Sequence, residues 1–396
     1  MPTTSNRGIE LGASPIRSLL PFARQAKKEG VHIYHLNIGQ PDIETPLAAR
    51  RYLAADDAPI ISYGPSEGLP ELRTAIAEYY NKFDGGLNYD DVYVTTGASE
   101  AILFTMMSCL DAGGQVIIPE PFYANYLGFS AMSGVEIVPI TSTIDQEFAL
   151  PSIEEFEQTI TDKTKAIFLC NPGNPTGQLY DLEQLQALSD LVKKHDLFLI
   201  VDEVYKEFVY DGKFTSVLSL PQIEDHVIVI DSISKVFSAC GARVGCLITK
   251  NAEVKESVLK YAQLRLCPPF HGQKLALACY AGSDHYIQSA IQTYQKRREI
   301  LYNALSAIEG VTCYKPKAAF YNIVALPIDD AEDFCKWLLT DFRVDKQTIM
   351  LAPANGFYFD NALGKSEVRI AYILKKEDLT VAVDILSKAL EAYRER

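Results

Sequence analysis

Short apolar runs alternate with amphipathic stretches of helical period from about Asp91 to Lys250, and this alternation limits the possible folds more than any other feature. The apolar runs predict strands at Val92–Thr95, Val116–Pro119, Val135–Ile140, Ala166–Cys170, Phe198–Asp202, Val227–Asp231 and Val244–Thr249. The stretches between them predict helices at Glu100–Leu110, Tyr123–Met132, Ile153–Ile160 and Leu182–His195. Strands that alternate with helices predict an α/β fold, with a mostly parallel sheet between two helical layers.

The pattern changes after about Gly282. The remainder predicts a smaller α+β unit with a long helix, hairpin-like strands, a second helix, a strand and a closing helix, at Tyr286–Ile308, Val311–Leu326, Ala331–Leu339, Val368–Tyr372 and Asp378–Tyr393. The N-terminal segment is helical in period at Ser18–Lys28 and too short to fold alone, so we expect it to pack on this unit or on a partner chain. We therefore predict an N-terminal arm of the small domain (residues 1–46), a large domain (47–285) and a C-terminal small domain (286–396).

Charge and composition exclude several classes of protein. The chain of 396 residues carries 37 Lys and Arg against 51 Asp and Glu, a formal net charge of −14, which argues against nucleic-acid or anionic-membrane partners. No uncharged apolar stretch approaches the roughly 18 residues of a membrane span, and the N-terminus lacks a signal-peptide core. The eight cysteines include no C-x-x-C pair, so we expect reduced core thiols in a cytoplasmic protein, with no disulfides and no metal site.

The segment N-P-G-N-P-T-G, Asn171–Gly177, follows the predicted strand Ala166–Cys170 directly. Turn residues are expected where a strand ends, but two successive Asn-Pro pairs exceed what a turn needs. Ligands of α/β proteins bind at the carboxyl ends of parallel strands, and an Asn amide there donates to a phenolate or a carboxylate. Asn174 is therefore a candidate ligand-binding residue.

Two further strand ends carry charged residues. Asp202, in V-D-E-V-Y, either caps the following helix or pairs with a buried cation, and the residues alone leave both possibilities open. Lys235, in D-S-I-S-K, is either solvated or held in a desolvated pocket, where an amine loses its proton more readily and can form a Schiff base. Ser232 and Lys235 also match the S-x-x-K of serine acyl-enzymes, but the companion S-D-N and K-T-G motifs are absent.

The segment T-T-G-A-S, Thr95–Ser99, lies at a strand-to-helix junction. A glycine there lets a ligand approach the backbone, and the N-terminus of the following helix offers free N–H groups to an anion. The chain has no P-loop and no G-x-G-x-x-G motif, so the expected anion does not belong to a dinucleotide or to a P-loop nucleotide.

An anion cradle, an amide, a carboxylate, a tyrosine and a lysine, each at a strand end, are what pyridoxal 5′-phosphate (PLP) requires. Their order and spacing resemble the class I/II PLP-dependent aminotransferases of PLP fold type I, in the aspartate aminotransferase-like branch. The resemblance runs from about Ser14 to the last helix. It also includes the segments Ala13–Arg17, Asn37–Asp42, Tyr63–Arg73, Ala319–Tyr321 and Val368–Ala371.

The resemblance implies a role for each candidate residue. Lys235 is expected to form the Schiff base and to move the substrate proton, and Asp202 to pair with the pyridine nitrogen. Tyr205 and Asn174 are expected to bond the 3-oxygen of the cofactor. The phosphate is expected on Gly97, Ala98, Ser99, Ser232 and Arg243, with Ser234 also among the cofactor-binding residues.

The resemblance also implies how substrate and subunits meet. Tyr123 is expected to stack on the pyridine ring, although a packed core tyrosine is the alternative. Arg369 is expected to grip the substrate α-carboxylate, with Asn174 and the Gly39 backbone beside it. Tyr63 matches a tyrosine that reaches the phosphate of a neighbouring subunit, which implies a homodimer.

The implied reaction is ping-pong transfer of an amino group from an L-amino acid, with aspartate favoured, to a 2-oxo acid, with 2-oxoglutarate as the expected acceptor. Glu100 stands where some aspartate-specific relatives place a basic residue, so another cation such as Arg17 or Arg265 would have to bind the second carboxylate. Alanine, aromatic or broad-specificity transamination is the alternative. A C–S β-lyase or a non-catalytic PLP-binding protein is less favoured.

Overall fold

The computed structural model describes residues 2–5, 8–9, 17–54 and 60–396, so residues 13–16 of the predicted segment Ala13–Arg17 lie outside the described residues. The strands of the described part form three sheets. In chain order they are β1 (His32–His35), β2 (Val92–Thr95), β3 (Gln115–Glu120), β4 (Glu136–Thr141), β5 (Thr164–Cys170), β6 (Phe198–Asp202), β7 (Val227–Ser232), β8 (Gly245–Ile248), β9 (Thr312–Cys313), β10 (Tyr321–Ala325), β11 (Gln347–Met350), β12 (Ala352–Pro353) and β13 (Glu367–Ala371).

The largest sheet has seven strands in the order β2-β8-β7-β6-β5-β3-β4. Strands β7, β6, β5, β3 and β4 run parallel, and β8 is antiparallel to both of its neighbours. All seven predicted strands are present within two residues of their predicted bounds. The predicted α/β class is therefore confirmed, and the mixed sheet places the carboxyl ends of β5, β6 and β7 side by side.

Successive residues of the large sheet alternate between two apolar cores, as the two-residue period of a strand requires. Ile167 and Leu169 of β5 face one core, whereas Ala166 and Phe168 face the other. Because both faces are buried, these strands are continuous apolar runs, which is why the sequence predicts them well.

Helices cover both faces of the large sheet and surround the smaller sheets. Their bounds are Leu20–Lys28, Leu47–Ala54, Pro70–Asn81, Gly97–Cys109, Asn125–Ser133, Ile153–Thr159, Leu182–His195, Ile233–Val236, Ala252–Arg265, Phe270–Tyr280, Asp284–Ser306, Ala331–Thr340 and Lys376–Arg394. The predicted helix Tyr123–Met132 begins two residues late, so Tyr123 lies in the turn before it. Capping fixes the start of the helix Leu182–His195. The Asp181 side chain accepts from the backbone N–H of Gln184, and the Gln184 side chain accepts from the backbone N–H of Asp181.

The C-terminal part forms an antiparallel sheet in the order β12-β13-β10-β9. The predicted hairpin-like pairing is present, with Cys313 of β9 opposite Val324 of β10. A second small sheet, parallel β1 and β11, is absent from the sequence prediction because its strands are four residues each and lie more than 300 residues apart. Side chains of the N-terminal segment, including Ala23 and Ile33, lie in the same apolar core as β10 and β13.

All eight cysteines are free thiols, of which Cys246, Cys279 and Cys335 are buried and the other five are half-buried. Across the residues that the structure describes, no helix is long and apolar enough to span a bilayer. Within the same residues, no group of three or more His, Cys, Asp or Glu side chains is arranged to hold a metal ion.

Candidate active site

A cavity of about 610 Å³ opens at the carboxyl ends of β5, β6 and β7, beside the N-terminus of the helix Gly97–Cys109. Twelve of the residues proposed from the sequence line it, namely Gly39, Ala98, Ser99, Tyr123, Asn174, Asp202, Tyr205, Ser232, Ser234, Lys235, Arg243 and Arg369. Parallel strands that end at one edge of a sheet bring such side chains together, although up to 330 residues separate them in the chain.

Lys235 follows β7 in the short helix Ile233–Val236, and its Nζ atom donates to the carbonyl oxygen of Gly39 at 2.8 Å. Burial lowers the pKa of this amine, but neighbours that include Tyr321 and Cys240 raise it, and the net shift is upward. Desolvation alone therefore lowers the pKa of Lys235 as expected, but the neighbouring groups outweigh it. The reason is that the fold places the Tyr321 hydroxyl and the Cys240 thiol near the ammonium.

Asp202 is the last residue of β6 and is 5% exposed. Its Oδ2 accepts from the Tyr126 hydroxyl at 3.0 Å, and its Oδ1 accepts from the Val204 backbone N–H at 3.2 Å. Burial raises the pKa of the carboxyl to about 6 despite these two bonds. Among the described residues no basic side chain forms an ion pair with it, so the site favours a cationic partner that enters from the cavity.

The hydroxyls of Tyr205 and Tyr321 lie 3.0 Å apart and form one hydrogen bond. Burial raises the pKa of the Tyr205 hydroxyl well above its ordinary value. A Cβ atom added at Gly39 would lie 1.6 Å from the Tyr321 hydroxyl oxygen, so only glycine fits there. Lys235, Gly39, Tyr321 and Tyr205 thus form a continuous chain of contacts along one wall of the cavity.

Arg369 lies on β13 with its side chain 2% exposed. Its Nη1 donates to Asn174 Oδ1 at 3.1 Å and its Nη2 donates to the Asn37 carbonyl at 2.6 Å. The guanidinium also lies 4.6 Å from the ring centre of Tyr321 and 4.7 Å from that of Phe357. Burial lowers its pKa, and no Asp or Glu of the described ranges forms an ion pair with it. A buried guanidinium at a cavity wall without an acidic partner is a site for an anion.

The N-terminus of the helix Gly97–Cys109 makes a second anion site. Thr96, the residue that precedes this helix, makes no side-chain capping bond, so within the described residues its side chain leaves the first backbone N–H groups available to a ligand. A Cβ atom at Gly97 would lie 2.5 Å from Arg243 Nη2, which shows how closely the guanidinium approaches the helix end. Although Gly97 does not line the cavity, it is required there because its φ of +74° is left-handed and its neighbour is close.

Hydroxyl groups complete this corner of the cavity. Ser232 Oγ lies 2.7 Å from Ser234 Oγ and accepts from the Ser234 backbone N–H at 3.0 Å. Ser99, in the first turn of the helix, also lines the cavity, as does exposed Arg243. Free N–H groups, hydroxyls and a guanidinium around one concave corner fit a phosphate group, and the buried carboxyl of Asp202 fits a protonated ring nitrogen.

Two candidate binding residues, Tyr63 and Arg265, do not line the cavity of their own chain. Tyr63 is 80% exposed and does not line the cavity. Arg265 lies outside it too, where its Nη1 pairs with Glu100 at 3.1 Å. Glu100 also accepts from the Thr96 N–H at 2.8 Å. Of the two cations considered for a second substrate carboxylate, Arg17 lines the cavity and Arg265 does not.

Sequence reasoning missed several residues of the site. Tyr126, which holds Asp202, lies three residues after Tyr123, and helical spacing alone gave no sign of its role. Asn125 lines the cavity and donates to the Tyr123 hydroxyl at 2.7 Å. Tyr321 lies in the segment Ala319–Tyr321, for which the sequence predicts no role, and only its packing against Gly39 indicates one.

The model of the family Aminotransferase class I and II matches residues 31–386. The aspartate aminotransferase of Sulfurisphaera tokodaii is 30% identical over 379 residues, 93% of this chain and 93% of that protein. Two solved structures, an alanine aminotransferase from Pyrococcus furiosus and an aspartate aminotransferase from Thermotoga maritima, each have a TM-score of 0.90 and 30% identity, and each covers 98% of this chain and 100% of the other.

This chain belongs to the class I and II aminotransferases. It is a transaminase, with amino acids and 2-oxo acids as substrates, and its cofactor is PLP. The residues of the cavity fit that cofactor, because a carboxyl that favours a cation, a phosphate-binding corner and a buried amine occur in one cavity.

Proposed function

We propose that the cavity catalyses ping-pong transfer of the amino group of an L-amino acid, with aspartate favoured, to 2-oxoglutarate. The observation that carries this proposal is Arg369, a buried guanidinium without an acidic partner in the described residues, in the same cavity as the Lys235 amine. A substrate with an α-carboxylate supplies the missing anion. That contact places the α-carbon within the cavity that Lys235 lines.

The side chains of the cavity divide the binding of the cofactor. Asp202 would pair with the ring nitrogen, Tyr205 and Asn174 would bond the 3-oxygen, and Tyr123 would stack on the ring. When bound, PLP supplies an electron sink for the electrons left on the substrate α-carbon. Asp202 keeps the ring nitrogen charged, because a buried carboxylate and a buried cation each lower the cost of the other.

Substrate orientation and proton transfer fall to two further residues. Arg369 binds the α-carboxylate through its planar fork, and Asn174 Oδ1, 3.1 Å from Nη1, fixes the plane of that fork. Lys235 Nζ is the base that removes the proton from the α-carbon. The hydrogen bond from Nζ to the Gly39 carbonyl would hold the free amine near the α-carbon.

Arg17 supports a dicarboxylate substrate. Lys235, Asp202, Arg243 and Arg369 have assigned tasks, so Arg17 is the remaining charged side chain among the described lining residues. The pairing of Glu100 with Arg265 removes the repulsion that an acidic residue near the phosphate-binding corner would otherwise exert on a second carboxylate. The named relatives include both aspartate and alanine aminotransferases, so the main support for aspartate is the Arg17 guanidinium.

A half-reaction tests the proposed function. The purified holoenzyme is mixed with single amino acids, and the absorbance of the bound cofactor is followed. We expect aspartate and glutamate to convert it faster than alanine or phenylalanine. Lack of conversion by every amino acid contradicts transamination, and release of pyruvate and ammonia without an acceptor indicates a lyase.

A matched pair of variants tests the substrate class. Arg17→Gln is expected to lower kcat/KM for aspartate about tenfold or more, because a charged hydrogen bond is lost, and to leave alanine unchanged. Arg24→Gln is the control, since Arg24 is an exposed arginine on the neighbouring helix Leu20–Lys28 and does not line the cavity. Equal loss for aspartate and alanine would contradict a dicarboxylate site at Arg17.

We also propose a homodimer in which Tyr63 reaches the phosphate site of the neighbouring subunit. Exposed apolar side chains support this, namely Ile60, Ile61, Tyr63, Leu264 and Leu266. The two segments that carry them are joined by a hydrogen bond from Arg265 to the Ser66 carbonyl. Sedimentation is expected to give twice the chain mass of 44.0 kDa. Mixing Tyr63→Ala subunits with Lys235→Ala subunits is expected to restore activity, because mixed dimers contain one site with both residues intact. No recovery despite subunit exchange contradicts a shared site.

The proposed location is the cytoplasm. The eight free thiols support it, because cysteines remain reduced in that compartment.

A further inference from the structure

We propose that Tyr321 is a positioning residue with two tasks: its hydroxyl sets the direction in which the Tyr205 hydroxyl donates, and its ring holds the Arg369 guanidinium in place. The inference rests on the proposed function, because it assigns the orientation of the groups that would bind the 3-oxygen of the cofactor and the substrate carboxylate.

The first task follows from the hydrogen bond between the two hydroxyls, whose oxygens lie 3.0 Å apart. Both residues are 2% exposed, and within the described chain neither hydroxyl makes another hydrogen bond. One hydroxyl must donate and the other must accept. When Tyr321 donates, the O–H of Tyr205 is free to point into the cavity, where an anionic oxygen accepts it. Without Tyr321 the Tyr205 hydroxyl rotates freely and donates less well.

The second task follows from the register of β10 and β13. Ile323 lies opposite Arg369 and Tyr321 lies opposite Ala371, so Tyr321 and Arg369 project from the same face of adjacent strands. The guanidinium lies 4.6 Å from the centre of the Tyr321 ring. The negative face of an aromatic ring attracts a cation, most strongly where both are desolvated. The ring thus stabilises a guanidinium that has no acidic partner in the described residues.

The packing around Gly39 fixes the position of Tyr321. An added Cβ atom at Gly39 would lie 1.6 Å from the Tyr321 hydroxyl oxygen, so the hydroxyl can occupy this position only when residue 39 is glycine. The Gly39 carbonyl accepts from Lys235 Nζ at 2.8 Å. Tyr321 therefore contacts Tyr205 and Arg369 directly and reaches Lys235 through one backbone group.

Two variants separate the tasks. Tyr321→Phe keeps the ring and removes the hydroxyl, whereas Tyr321→Leu removes both. The control is Tyr294→Phe, since Tyr294 lies in the same apolar core and its buried hydroxyl makes no hydrogen bond with another side chain of the described residues. The readouts are the pH titration of the absorbance of the bound cofactor and the dissociation constant of propionate, a carboxylate without an amine.

Tyr321→Phe is expected to shift the spectroscopic pKa of the bound cofactor upward by about half a unit to one unit, which is the scale of one hydrogen bond. The dissociation constant of propionate is expected to stay within about twofold of that of the unmodified protein. Tyr321→Leu is expected to show the same spectral shift and also to weaken propionate binding about fivefold or more, the scale of a buried cation–π contact. Tyr294→Phe is expected to change neither.

A spectral titration of Tyr321→Phe equal to that of Tyr294→Phe overturns the first task. Equal propionate binding by the Phe and Leu variants overturns the second. If the Tyr321 variants do not fold, Gly39→Ala displaces the Tyr321 hydroxyl instead. This variant is expected to reproduce the spectral shift, and a Gly39→Ala protein without that shift overturns the proposal. If no amino acid changes the absorbance of the cofactor bound to the unmodified protein, the proposed function is contradicted instead. Failure of the proposed function is therefore distinguishable from failure of the role of Tyr321.

Discussion

The ammonium of Lys206 forms an ion pair with the carboxylate of Asp231, and both side chains are 1% exposed. Lys206 follows Tyr205 in the segment directly after β6, and Asp231 precedes Ser232 at the end of β7. The rings of Tyr79 and Tyr80 lie 5.1 Å and 4.9 Å from the ammonium. The pair therefore joins the segments after β6 and at the end of β7, next to Tyr205 and Ser232, which line the cavity.

Lys206→Met is expected to lower the free energy of unfolding by about 3–5 kcal/mol, because it leaves the Asp231 carboxylate buried without a cation. Urea denaturation measures this change. Lys82→Met is the control, since its exposed pair with Asp284 is expected to contribute no more than about 1 kcal/mol. A loss for Lys206→Met no larger than that of the control would show that Asp231 finds another partner.

Lys235→Ala is expected to reduce the rate of the half-reaction by at least about 1000-fold, since both the covalent attachment and the base are lost. Rapid mixing with aspartate, followed by cofactor absorbance, measures the rate. Circular dichroism and cofactor content serve as controls for folding and binding. A rate within tenfold of the unmodified protein would assign the proton transfer to another group.

Arg369→Lys is expected to raise KM for alanine about tenfold or more, because a lysine cannot form the planar two-point contact with a carboxylate. Steady-state kinetics with alanine measures this effect. The half-reaction with ethylamine, which lacks a carboxylate, is the control and is expected to stay within twofold. An equal loss for both compounds would mean that the guanidinium supports the cavity rather than binding the substrate.

Glu203 gives the fold a pH-dependent contribution, because burial raises the pKa of its carboxyl to about 8 from an ordinary 4.5. Between these values the folded chain binds more protons than the unfolded chain, so the contribution of Glu203 to stability is present below pH 4.5 and is lost as pH rises through 8. Glu203→Gln is expected to flatten the dependence of the unfolding free energy on pH between 6 and 8, as measured by urea denaturation. The same slope in both proteins would show that Glu203 is already ionised at pH 6.

The sequence predicted the large sheet well and the site in part. Continuous apolar runs such as Phe198–Asp202 identify strands buried on both faces, and a polar residue at their carboxyl end identifies the binding edge. The parallel pair β1 and β11 was missed, because its register depends on contacts between residues more than 300 positions apart. The hydrogen bonds of Tyr126 with Asp202 and of Tyr321 with Tyr205 were missed for the same reason, since each joins side chains from different elements.

The sequence by itself determined the fold class, the family and the residue types at each strand end, because these depend on local periodicity and on the order of motifs. The tertiary structure alone decided which of those residues share a cavity. It also decided that Glu100 pairs with Arg265, that Arg17 lines the cavity and that the Lys235 pKa rises rather than falls. Burial and electrostatic fields are sums over neighbours from distant parts of the chain, and only the folded arrangement places those neighbours together.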